Sequence, residues 1–179
     1  MPVAHHWGTT AAERTLAYAC DRYVAAPRDE LFRGVTVNVP AAVVFRWLCQ
    51  LRAAPYSYDW IDNLGRRSPQ RLIPGLESLV IGQRVMRSSN WWSSSRTARS
   101  PCASSNEVER ASCSARSPSR TWRSSDRAEG TRLLAKLALP RADGLLARLK
   151  LAALAWGDLV MMRRQLFNLR QLAESTACR

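Results

Sequence analysis

Between Arg87 and Arg127 the chain has no leucine, isoleucine, phenylalanine or tyrosine. These forty-one residues hold fourteen of its eighteen serines, and eight arginines against three acids. A segment so short of large apolar side chains cannot bury enough surface to offset the entropy of ordering it, so by itself it is expected to be unfolded. Lysine is also scarce, at two of 27 basic residues. Of the +13 net charge, the Ser/Arg segment contributes +5 and the rest is scattered. A phosphate-binding face needs clustered cations, so no nucleic-acid partner is expected.

Histidine is confined to His5 and His6, near the start and without carboxylates at helical spacing. They are expected to be solvated. The five cysteines, Cys20, Cys49, Cys102, Cys113 and Cys178, form no CxxC pair. Neither a metal site nor a cofactor is expected. Their odd number and the mixed composition of MPVAHHWGTT point to a reducing cytoplasm. No apolar run approaches the length needed to cross a bilayer, so no integral membrane association is expected. At 179 residues one domain is expected.

The flanks of the Ser/Arg segment read as globular protein. Thr10 and Glu13 have the spacing of a capping box, opening a short helix within Thr9–Val24. Gly34–Val39 alternates as a half-buried strand does, and after Pro40 the stretch Ala41–Leu51 puts Val44, Trp47, Leu48 and Leu51 on one helical face. Ala54–Arg67 sets Tyr56, Tyr58 and Trp60 among loop residues. There they form a ligand-facing rim or, favoured for Trp60, a turn of helix pinned into the core. Leu76–Met86 and Gly130–Leu139 read as strand regions.

From Arg141 to Glu174 the pattern is helical. One stripe runs Leu145, Leu149, Ala152, Trp156, Leu159, Met162, Leu166, Leu169 and Ala173, with Leu146, Ala153, Val160 and Phe167 beside it. So wide an apolar arc predicts a long helix embraced by sheet, buried on the Leu149, Trp156, Met162 and Leu169 side. The fold class is therefore α+β. Gly157, costly inside a helix, predicts a packing or cavity reason, and Asp158 beside it is expected to pair with Arg132, Arg163 or another arginine.

Tryptophan, with the single codon TGG, allows a test of the Ser/Arg segment. Read from the third base of each codon, Asn90-Trp91-Trp92 becomes Leu-Val, and Thr121-Trp122 yields Leu, Met or Val. Residues 87–127 thus read as a frame-shifted rendering of strands, against the alternative of a genuine Ser/Arg loop of unusual length. The nucleotide sequence across this segment distinguishes the two.

Arg33-Gly-Val-Thr-Val-Asn-Val-Pro40, Phe45–Leu51, Ala54–Asn63, Gly82-Gln83 and Gly157–Leu166 running on to Ala173-Glu174 together resemble the START-like, polyketide cyclase and lipid-transport superfamily, SRPBCC. The resemblance covers most of both flanks, while residues 87–127 match nothing in it. It implies a helix-grip fold, in which a curved antiparallel sheet wraps the C-terminal helix around an apolar cavity. Candidate contacts to an apolar ligand are then Trp47, Tyr56, Tyr58, Trp60, Trp156 and Val160. Core packing is favoured for Trp47 and Val160. Two function classes follow: a carrier of a hydrophobic small molecule such as a lipid or polyketide, and a cyclase or dehydratase using Asp158 or Tyr58.

Overall fold

The computed structural model describes residues 3–22, 28–77, 119–127, 130–140 and 143–178. Strands β1 (His6–Trp7), β2 (Arg28–Val37), β3 (Ser119–Arg127) and β4 (Gly130–Pro140) form one sheet in the order β1-β2-β4-β3. β1 runs parallel to β2, and β4 pairs antiparallel with both β2 and β3. The helices are α1 (Ala11–Arg14), α2 (Ala41–Cys49), α3 (Asp59–Asp62) and α4 (Leu145–Ala177), with 3-10 turns at Ala19–Arg22 and Gln50–Arg52. The class is α+β, with one long C-terminal helix.

β2 and β4 carry the core because their side chains alternate between two covered faces. Val35 and Val37 share a cluster with Leu133 and Ala135 beneath Trp47 and Leu48 of α2 and Met162, Leu166 and Leu169 of α4. On the opposite face, Phe32, Leu134 and Ala138 pack with Tyr18 and Cys20. The N-terminal segment therefore covers the back of the sheet, and Thr131–Leu139 is buried at every position. Two glycines permit the close approach. Gly8, at φ +71°, and Gly34 lie backbone to backbone, and a Cβ on Gly34 would stand 2.8 Å from the Gly8 carbonyl oxygen.

Two cations are buried on that back face. Arg132 meets Glu13 at 2.8 Å, and Lys136 meets Asp21 at 2.6 Å and Glu30 at 2.8 Å. The capping box is present, Thr10 and Glu13 exchanging both hydrogen bonds, so Glu13 serves cap and ion pair together. The hydrogen bond from Arg132 outweighs burial and holds the Glu13 carboxyl down to about 2. A depressed folded-state pKa gives stability that is present above the ordinary glutamate range and lost as pH falls from about 4.5 towards 2. Acid titration followed by circular dichroism should show that loss, and Glu13→Gln should remove this part of the slope.

The short first helix forms behind its cap and ends at Arg14, where the Thr15 hydroxyl bonds the Ala12 carbonyl and the Tyr18 amide turns to the Asp21 carboxylate. Other expectations change. His5 and His6 are half-buried rather than solvated: β1 pairs with β2, the Phe32 amide donates to the His5 carbonyl at 2.7 Å, and burial lowers the His6 pKa. Within the Ser/Arg segment, Ser119–Arg127 is a strand paired along its length with β4. Main-chain pairing on a strongly apolar neighbour needs no apolar residues of its own. Residues 87–118 lie outside the described residues, as does the strand expected over Leu76–Met86 beyond Glu77.

α4 has the expected length but not the expected buried side. Met162 and Leu169 are buried, whereas Leu149 and Trp156 are 59% and 56% exposed. The nine-residue stripe runs from Leu145 to Ala173, a separation of 28 residues at a mean step of 3.5, and in a straight helix such a stripe drifts by about 20° per heptad, roughly 80° in all. Its two ends therefore face different ways. Contact with the sheet selects Ala155, Leu159, Met162, Leu166 and Leu169. Gly157 has no packing reason, because a Cβ there would meet open space.

Candidate functional site

The chain leaves α2 through the Gln50–Arg52 turn and reaches Tyr56, which takes a left-handed φ of +56°. That conformation is strained for an aromatic residue. It is held from three sides: Gln165 Nε2 donates to the Pro55 carbonyl, Asn168 Nδ2 donates to the Tyr56 carbonyl at 2.9 Å, and the Trp47 ring meets the Tyr56 ring edge to face at 6.0 Å. Both amide donors come from α4. The loop is thus fixed to the helix over a separation of 110 or more residues.

Beyond Tyr56 the loop folds back on itself. Asp59 receives the Ser68 amide at 2.8 Å and the Ser68 hydroxyl at 2.5 Å, one on each carboxylate oxygen. Gln50 fixes the far end, its Oε1 accepting from the Ile73 amide at 3.0 Å. Between this loop and α4 lies a cleft of about 370 Å³, lined by Tyr56, Ser57, Tyr58, Asp59, Trp60, Ser68 and Gln70 on one side and Arg164, Asn168, Gln171 and Leu172 on the other.

Charge in the cleft is unevenly committed. The Asp59 oxygens are taken by Ser68, while Arg164 makes no hydrogen bond or ion pair with any described residue. The Tyr56 hydroxyl is buried and has no partner among the described residues, and burial, aided by the Asp59 charge, pushes its pKa up to about 12. At neutral pH it stays protonated and can both donate and accept a hydrogen bond. Burial also raises the Asp62 pKa, with Asp59 adding to the effect. Among the described residues no cluster of histidine, cysteine and carboxylate side chains could hold a metal ion.

Of the six candidate contacts, Tyr56, Tyr58 and Trp60 come together at the cleft. Trp60 is 76% exposed, so the turn of helix forms at α3 but does not pin this ring into the core. Trp47 is core, its ring nitrogen donating to Thr176 Oγ1 at 3.1 Å. Trp156 and Val160 are exposed and do not line the cleft. Asp158 is also elsewhere, paired under α4 with Arg33 at 3.0 Å, an arginine other than the two named from sequence.

The polar half of the cleft was not anticipated. Arg164, Asn168 and Gln171 follow steps of four and three, a helical signal, but one indistinguishable in sequence from a solvated face. Comparison with known family profiles, curated proteins and solved structures finds no match to this chain.

Proposed function

We propose that this protein binds, without chemically altering it, a small molecule with an apolar body and an anionic end in the cleft between the Tyr56–Gln70 loop and α4. The observation that carries the reading is Arg164, a cation that lines the cleft and makes no hydrogen bond or ion pair with any described residue, while each Asp59 oxygen accepts a hydrogen bond from Ser68. Tyr58 and Trp60 offer aromatic surface to the apolar body, and Arg164 a charged donor to its end.

Kinship with SRPBCC and a helix-grip assignment belong to the same proposal. The order strand β2 then α2, and a 33-residue α4 lying along the sheet, support them. Between α4 and the sheet Met162, Leu166 and Leu169 pack against Val35, Val37, Leu133 and Ala135, which favours the loop side of the helix for the ligand. The cyclase or dehydratase alternative loses Asp158, which pairs with Arg33 away from the cleft.

Isothermal titration with 2-naphthoate and its neutral counterpart 2-naphthylmethanol tests the reading. Arg164→Gln should weaken naphthoate on the order of tenfold and leave naphthylmethanol unchanged. Equal weakening of both, or no binding of either by the unaltered chain, would count against it.

A further inference from the structure

α4 is apolar on two separate faces, about 110° apart around the helix. One packs on the sheet. The other presents Leu145, Leu149, Trp156, Val160 and Phe167, 76%, 59%, 56%, 50% and 40% exposed. Their spacings of four, seven, four and seven hold them within one helical arc along roughly 33 Å of helix. No residue of 145–154 is buried, although Leu151 and Leu154 pack partly against the cluster of Leu31, Leu137 and Ala155. The start of the helix is therefore apolar surface in water.

Charge indicates what covers it. From Leu145 to Ala173 the helix has one acid, Asp158, which is buried against Arg33. Arg148, Lys150, Arg163 and Arg164 are exposed on the same helix. Among these, the Arg163 guanidinium lies over the Trp7 and Phe167 rings, 5.8 and 5.7 Å from their centroids, beside the stripe. We propose that this face of α4 docks in the plane of a bilayer containing anionic phospholipid. Leu145, Leu149 and Trp156 enter the headgroup boundary, and Arg148 and Lys150 meet the phosphates. A second copy of the chain would set these cations against one another. A neutral bilayer would leave them without partners.

Vesicle flotation with the full chain tests the proposal, comparing phosphatidylcholine alone with phosphatidylcholine mixed with phosphatidylserine. The mixed vesicles should capture the protein more strongly, on the order of tenfold, and added salt should weaken capture. Leu149→Glu with Trp156→Glu changes only exposed side chains and should abolish it. Should that pair lower the melting temperature, Arg148→Gln with Lys150→Gln reads the same question and should reduce capture on the order of tenfold. Equal capture by both vesicle types, no capture, or capture unaffected by either pair overturns the proposal. Sedimentation equilibrium showing a dimer that Leu149→Glu with Trp156→Glu dissociates also overturns it, in favour of a second copy.

Discussion

Replacing Asp158 by alanine is expected to lower stability by about 3–5 kcal/mol, enough to unfold much of the chain if its total stability lies in the usual range of about 5–15 kcal/mol. The cost comes from what remains. Arg33 is buried in β2, where its guanidinium donates to the Phe32 carbonyl at 2.9 Å, the Ala4 carbonyl at 2.8 Å and the Ala155 carbonyl at 3.2 Å. Those carbonyls satisfy hydrogen bonds but not the positive charge, which Asp158 balances at 3.0 Å. Because the guanidinium joins the N-terminal segment, the sheet and α4, its loss of a counter-charge is felt in all three. Asp158→Asn keeps the shape and should cost less. Where the fold survives, ligand affinity should stay within about tenfold, since the pair lies outside the cleft. Replacing both partners, Arg33→Met with Asp158→Leu, should recover most of the lost stability in denaturant titrations, because no buried charge is then left alone.

Trp47→Ala should have an effect of similar size, about 3–5 kcal/mol. Trp47 is 1% exposed and stands where α2, the Tyr56 loop and the end of α4 converge. Its removal opens a cavity beneath a residue held at positive φ, so Tyr56 should relax and the cleft lose its shape. Trp47→Phe separates packing from hydrogen bonding. It keeps an aromatic ring against Tyr56 and loses the bond to Thr176, for about 1 kcal/mol. Naphthoate affinity in that variant should be nearly unchanged if Trp47 acts only as core. A loss on the order of tenfold with the melting temperature preserved would instead make Trp47 a ligand contact.

How legible the cleft was in the sequence differs from residue to residue. Tyr56, Tyr58 and Trp60 stood out because aromatics in a Pro-bounded loop are conspicuous. Arg164, Asn168 and Gln171 did not, because a polar helical face looks the same whether it meets water or a loop. Trp156 and Val160 became candidates through the cavity that the resemblance implies, with core packing favoured for Val160, but both face solvent, because the sheet covers a different arc of α4.

By itself the sequence determined the local elements: the Thr10–Glu13 cap, β2 leading into α2, the apolar β4 and the length of α4. Short-range periodicity and capping chemistry specify these without reference to the rest of the chain. It also required a counter-charge for Asp158, since an acid in an apolar helix must be paired if buried. Tertiary structure alone decided that this partner is Arg33, that the N-terminal segment closes the back of the sheet, and that one of α4's two apolar arcs is buried while the other meets solvent. Each is a contact between segments far apart in the chain, and periodicity, which fixes angles around one element, carries no information about which neighbour that element will meet.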